Sequence, residues 1–263
     1  TGAIIAAVTT SIPESPHSGR NWDYRYCWLR DAAFVVEALR RLSHLSEGEA
    51  FVRFLREMAD SGPLQPIYGI TGKRNLDEEI IPELRGYDGI GPVRIGNAAV
   101  DQVQHDAYGS VILAATPMFF DKRLPVPGDE PLFRLLEKMA QQCANLALEP
   151  DAGIWEYRGR KRVHTHSGAM CWAGIRRTAA IAARLGLPDR ARHWQRQADS
   201  IGEEIGNALH DSALGLAVWA SVHGLAMLVL ENVIDLGQRR SGLHVLPARA
   251  EIILRSLFAT ARD

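Results

Sequence analysis

A glutamate set among aromatic and cationic residues is the first place where this sequence could do chemistry. Glu156 stands in Gly153-Ile154-Trp155-Glu156-Tyr157-Arg158, inside a long polar connection from Glu149 to His164. An apolar aromatic wall disfavours an ionised carboxylate and raises its pKa. A carboxylic acid that stays protonated near neutral pH can protonate a leaving oxygen. Taken alone, the segment also fits a loop glutamate in water. A second group stands where a loop meets a helix: Arg30-Asp31, preceded by Trp28. Arginine supplies planar donors, aspartate accepts from hydroxyls, and tryptophan offers a flat apolar face. Together they suit a sugar ring. Asp31 fits a helix N-terminus equally well, since the helix dipole favours a negative charge there.

A third group follows Gly96-Asn97 and comprises Gln102, Gln104, His105, Asp106 and Tyr108. Gln104 and Tyr108 are four residues apart, so a helix would put them on one face and make a polar pocket there. His164-Thr165-His166 lacks zinc-site spacing and has no cysteine or acidic partner nearby, so no metal is expected. The chain carries no phosphate-cradling glycine loop, serine elbow or dinucleotide fingerprint, so no cofactor is expected either.

The elements that must position these groups are helices. Asp31 opens one, with Ala32, Val36, Leu39 and Leu42 near one face. Phe51, Phe54, Leu55 and Met58 mark a second, stopped by Gly62-Pro63. A third is expected from about Asn97 to Phe120, with Val103, Ala107, Val111 and Ala114 on one face. A fourth carries Leu132, Leu135, Leu136, Met139, Cys143 and Leu146. A fifth runs from His166 to Leu185. Gly186-Leu187-Pro188 then stops it and starts the sixth, which holds Trp194, Ala198, Ile201 and Ile205. A seventh helix is expected to about Ile234, and a weaker pattern covers Ala248 to Phe258. Pro66-Ile67-Tyr68 and Pro92-Val93-Arg94-Ile95 read as short strands in the irregular stretch between the second and third helices.

Connections near 45, 125 and 187 are short, so the helices they join form antiparallel hairpins. The long loops 9–27, 64–96 and 148–165 then fall together at one end of the stack. Long aromatic and charged loops gathered at one end of a rigid scaffold are how a site is usually built. A helical array with decorative loops is the alternative, but no fixed-period repeat supports it.

Composition narrows the class. Apolar content of 46% and charged content of 23% are ordinary for a globular chain, and the 263 residues fit one large domain or two small ones. A formal net charge of −1 argues against a nucleic-acid partner. Cys27, Cys143 and Cys171 cannot all pair; Cys143 and Cys171 read as buried hydrophobes, which favours reduced thiols and a cytoplasmic setting. No secretory leader is read, and Ile4-Ile5-Ala6-Ala7-Val8 looks like the tail of an element whose start is missing. Leu214 to Leu230 is nearly uncharged, but its glycines and His223 fit a buried helix better than a membrane span.

Six motifs, in order and with sensible spacing over residues 5–212, resemble glycoside hydrolase family 15. They are Arg20-Asn21-Trp22-Asp23-Tyr24-Arg25-Tyr26-Cys27-Trp28-Leu29-Arg30-Asp31-Ala32; Pro66-Ile67-Tyr68-Gly69-Ile70 with Gly86-Tyr87; Val93-Arg94-Ile95-Gly96-Asn97-Ala98-Ala99; Gln104-His105-Asp106-Ala107-Tyr108-Gly109; Gly153-Ile154-Trp155-Glu156; and Thr165-His166-Ser167 through Met170-Cys171-Trp172. The resemblance implies an all-α fold, the (α/α)6 toroid of twelve helices with its site at one end. It implies hydrolysis of α-glucosidic bonds with inversion. Glu156 would be the general acid. Arg30 and Asp31 would hold the non-reducing-end glucose, with Trp28 and Trp155 lining the pocket. Tyr68, Gln104 and His105 join them as candidate substrate contacts.

The main expectation is a glucoamylase-like hydrolase releasing glucose from α-glucan oligosaccharides. Trehalose is the rival substrate, and a non-catalytic sugar-binding remnant is the alternative from another class. Inversion needs a second carboxylate about 6.5–9.5 Å away as base. The family's base lies far downstream, and neither Glu231 nor Glu251 sits in a matching context, so the base is unassigned. The chain therefore reads as seven or eight of the twelve helices. Residues 1–212 would form the N-terminal part of the catalytic domain, and 213–263 a divergent helical tail. Uncovered apolar helix faces would favour self-association.

Overall fold

The computed structural model of the chain describes residues 1–60 and 62–211. The expected helices at 213–234 and 248–258, the apolar run Leu214–Leu230, and the tail from 213 onward lie outside the described residues. Among the described residues no helix is long and apolar enough to cross a membrane.

Helix α1 (Leu29–Arg41) begins two residues earlier than Asp31. Asp31 lies in its first turn and Arg40 and Arg41 in its last, as the helix dipole favours. Leu29, Ala32, Ala33 and Val36 form its buried stripe. Leu42, expected on that face, is past the helix and exposed. Helix α2 (Leu45–Asp60) buries Phe51, Phe54, Leu55 and Met58, as their spacing requires.

The expected continuous helix from Asn97 to Phe120 is instead a 3-10 turn at Ala98–Asp101, a break, α3 (Asp106–Ala115) and the short α4 (Pro117–Phe120). The backbone from Gln102 to His105 is drawn off the helical path by partners in a distant loop. Val103 accepts from the Ala152 N–H at 2.9 Å, and the His105 N–H donates to Asp151 at 2.9 Å. Val103 is consequently exposed, and Gln104 and Tyr108 do not share a helix face. Helix α5 (Glu130–Leu146) is capped by Asp129, whose side chain accepts from the Leu132 N–H at 2.8 Å. Helices α6 (Thr165–Arg184) and α7 (Pro188–Asp211) follow at the expected positions.

Packing sorts these helices into two layers. The hairpins are α1/α2, α3/α5 and α6/α7; α1, α3 and α6 are neighbours in the inner layer. Outer α5 touches α2 and α7. Side chains of both layers share one core, including Phe51, Phe54, Val111, Ile112, Leu136 and Ile175. The inner helices approach closely where glycines meet. A Cβ on Gly174 would lie 3.0 Å from the Cα of Gly109, and one on Gly109 would strike the Met170 carbonyl. That contact draws the N-termini of α3 and α6 together.

All three inner helices start at the same end, and the long loops 9–27, 64–96 and 148–165 join there. Strand β1 (Cys27–Trp28) pairs antiparallel with β2 (Ile67–Tyr68), Cys27 opposite Tyr68. Strand β3 (Glu79–Ile81) pairs with β4 (Val93–Ile95), Ile80 opposite Arg94. The segment before them hydrogen-bonds along the first loop, the Ala6 N–H to Tyr26 O and the Ser11 N–H to Trp22 O. Trp28, Ile67, Leu76, Ala99 and Val100 form a second small core beneath these loops.

Candidate active site

The inner helices bring Arg30, Asp106 and His166 together at their N-terminal turns. Arg30 is buried; its Nη1 donates to Asp106 Oδ2 at 3.1 Å and to Gln104 Oε1 at 2.8 Å. His166 Nδ1 lies 3.9 Å from the same aspartate oxygen. Arg30 Nη2 reaches forward to Glu156 Oε1 at 3.2 Å, and Nε lies 3.8 Å from Asp31. One guanidinium therefore faces three carboxylates.

Glu156 is the point where the loops meet. Its Oε1 accepts from Trp28 Nε1 at 2.7 Å, from Gln104 Nε2 at 3.0 Å and from Arg30. Among the described residues its Oε2 takes no hydrogen bond. The backbone of Glu156 is left-handed, with φ of +53°. That conformation is disfavoured for a residue with a Cβ. It is held by Glu156 N–H to Gly153 O at 3.1 Å, and by Gln102 Nε2 donating to Glu156 O at 3.0 Å. Gly153 has φ of +67°, and a Cβ there would meet the His164 ring at 2.6 Å. At the neck of the loop, fully buried Asp151 accepts from the N–H groups of His105 and Gly153 and from Ser167 Oγ.

Several expected site residues therefore converge, and others do not. Trp28, Arg30 and Gln104 touch Glu156 directly, although they precede it by 128, 126 and 52 positions. Asp31 stands beside Arg30 with a half-exposed carboxyl. Desolvation by its surroundings raises the Asp31 pKa, Glu156 and Asp106 add to the rise, and Arg30 opposes it.

The aromatic wall expected from the sequence is not where it was placed. Trp155 is 60% exposed and Tyr157 47% exposed, so the residues flanking Glu156 turn outward. Trp28 instead meets the carboxylate with its polar edge, the indole N–H donating to Oε1. Tyr68 is wholly buried; its hydroxyl accepts from the Gln65 N–H, and its ring packs edge-on against Phe54. His105 is also enclosed, with the Cys171 thiol against its carbonyl. Neither reaches open space in this structure.

Sequence reasoning named Gln102 and Asp106 among the polar groups without assigning them a part, and passed over Asp151 and Glu78. Asp151 carried a signal: an acidic residue two positions before a glycine, where its side chain can accept from the following backbone.

Residues 1–227 match the family model described as Glycosyl hydrolases family 15. The chain belongs to glycosyl hydrolase family 15. The three hairpins of the described residues are the arrangement of part of an (α/α)6 toroid, with inner helices side by side and the loops at their N-terminal end. Among similar proteins is a trehalase of Mycobacterium tuberculosis, 41% identical over 210 residues, which are 78% of this chain and 30% of that protein. A trehalase of Mycolicibacterium smegmatis is 39% identical over 78% of this chain and 31% of its own length. One from Thermoplasma volcanium is 35% identical over 78% of this chain and 32% of its own. The chain thus spans about a third of these relatives. A solved bacterial glucoamylase complexed with acarbose aligns with a TM-score of 0.49 at 18% identity, over 77% of this chain and 25% of that one.

Proposed function

We propose that this chain carries the general-acid side of an inverting α-glucosidase site and that the substrate is trehalose. The observation that carries the reading is the convergence of Trp28, Arg30 and Gln104 on one oxygen of Glu156, which leaves the other oxygen uncommitted among the described residues. In this mechanism Glu156 is protonated on Oε2 and gives that proton to the glycosidic oxygen as its bond to the anomeric carbon breaks. Water attacks that carbon from the opposite face and loses a proton to a second carboxylate. The product forms with inverted configuration. Asp31 accepts from a sugar hydroxyl beside Arg30, and Trp28 fixes the Glu156 carboxyl through its indole N–H.

Relatives named trehalases, at 33–41% identity, support trehalose over the maltose-type oligosaccharides that led the sequence-based expectation. We place the protein in the cytoplasm, a setting supported by three buried free thiols, Cys27, Cys143 and Cys171. A second reading is a sugar-binding segment without turnover. It is favoured by the engagement of the neighbouring carboxylates Asp31 and Asp106 with Arg30, so that neither is assigned as base among the described residues.

Hydrolysis of trehalose, maltose and isomaltose by the wild type and by Glu156→Gln tests both. Trehalose cleavage is expected to exceed the others and to fall about 10²–10⁴-fold in the variant. Proton NMR of the first product should show the inverted anomer. Faster cleavage of maltose would overturn the substrate assignment. Sugar binding without turnover would establish the second reading.

A further inference from the structure

A polar assembly centred on Glu78 spans the mouth beside Glu156. The Glu78 carboxylate accepts from Arg158 Nη2 at 2.6 Å and Nη1 at 3.2 Å, from Arg94 Nη1 at 2.8 Å and from the Ala98 N–H at 3.3 Å. The Trp22 ring lies against both guanidiniums, 4.2 Å from Arg158 Cζ and 5.1 Å from Arg94 Cζ. Its Nε1 donates to Glu14 at 2.8 Å. All three long loops are joined here: Trp22 comes from the first, Glu78 and Arg94 from the second, and Arg158 from the third.

Arg158 is two residues beyond Glu156. The side chains on either side of Glu156 are largely exposed, Trp155 at 60% and Tyr157 at 47%. Polar contacts brace its left-handed turn. Asp151 and Arg162 close its neck through paired backbone bonds, and Gln102 holds the Glu156 carbonyl. On the far side Arg158 ties it to Glu78. Glu78 is largely sheltered and Arg158 half-exposed, so this pair is screened less than one with both partners in solvent. The two parallel Arg158 bonds add directional control.

We propose that Glu78 and Arg158 are positioning residues, whose ion pair, braced by Trp22, keeps the Glu156 backbone in its left-handed turn and thereby holds the carboxyl against Trp28. Neither touches the reacting atoms. The consequence for catalysis rests on Glu156 being the acid; the consequence for geometry does not.

The Trp28 indole N–H resonance, assigned with Trp28→Phe, reports the bond to Glu156 whether or not the chain turns over substrate. In Glu78→Gln and in Arg158→Met it is expected to move toward its position in Glu156→Ala. Arg158→Lys restores part of the shift, because it returns the charge without the paired bonds. The double variant moves no further than the stronger single, as expected for one shared interaction. Lys161→Gln, which removes a charge from the same loop outside the assembly, leaves the resonance in place. With trehalose, kcat is expected to fall about 10–100-fold in Glu78→Gln and Arg158→Met with KM within about twofold, the mark of misplaced chemistry. An unmoved Trp28 resonance in both variants overturns the proposal whatever the kinetics. A moved resonance together with full turnover in Glu156→Gln leaves the positioning intact and removes the assignment of the acid. If Glu78→Gln does not fold, Arg158→Met and Arg158→Lys decide alone.

Discussion

Arg30 is the side chain that ties the candidate site together. It is nearly enclosed, its partner Asp106 is wholly so, and it also serves Gln104 and Glu156. Removing one member of a buried ion pair leaves the other charge uncompensated, which costs about 3–5 kcal/mol. Arg30→Ala should therefore lose stability on that scale in urea unfolding, besides any loss of sugar binding. Arg30→Lys should recover only part of it, because an ammonium cannot spread donors over Gln104, Asp106 and Glu156 at once. A variant within about 0.5 kcal/mol of wild type, the usual scale of an innocuous surface change, would show that the cluster does not depend on this residue. The sequence singled out Arg30 and Glu156 because their types suit sugar chemistry and their flanking motifs are specific, and the two side chains do meet. The environment of Glu156 was not. Adjacent side chains in a turn point in different directions, so Trp155 and Tyr157 face solvent. The indole that donates to its carboxylate stands 128 positions earlier, and such a pairing leaves no local pattern.

At the scale of elements, helices were read correctly where apolar residues recur at helical spacing and the backbone has no competing partner, as in α2, α5 and α6. The reading failed at 102–105, where apolar periodicity continues but the backbone bonds to the Glu156 loop instead. The assembly around Glu78 was illegible for the same reason, because Arg158 lies 80 positions from its partner. It makes the loops sensitive to acid. Burial pushes the Glu78 carboxyl up, but Arg158, the Ala98 N–H and Arg94 outweigh it and hold the pKa below the ordinary glutamate value of 4.5. A depressed folded-state pKa means the stabilisation is complete above the unfolded value and lost as pH falls through the folded one. The stability difference between wild type and Glu78→Gln should thus be constant from pH 8 to about 5 and shrink below about 4.5. Taking the difference cancels the other carboxylates held low by arginines, such as Asp23 and Glu37. A difference that shrinks between pH 6 and 8 would mean that another group carries the effect.

For the molecule as a whole, the alternation of short turns and long loops was enough to gather the loops at one end, because antiparallel hairpins leave no other place for them. What the alternation did not reveal is which helices are enclosed. Helix α3 is apolar nearly all round, and nine of its ten residues are buried. It packs against α1, α2, α5 and α6, whereas α7 packs chiefly against α6. A helix enclosed on every side can expose its amides only when its neighbours leave, so its local opening and the global unfolding should coincide. Native-state hydrogen exchange is expected to find the amides of Val111 and Ile112 among the slowest. Their opening free energy should equal the unfolding free energy from urea, while the exposed face of α7 exchanges through smaller fluctuations. Greater protection in α7 than in α3 would mean that cooperativity is centred on the last hairpin, and the scaffold under Arg30 and Asp106 would then open before the rest of the chain.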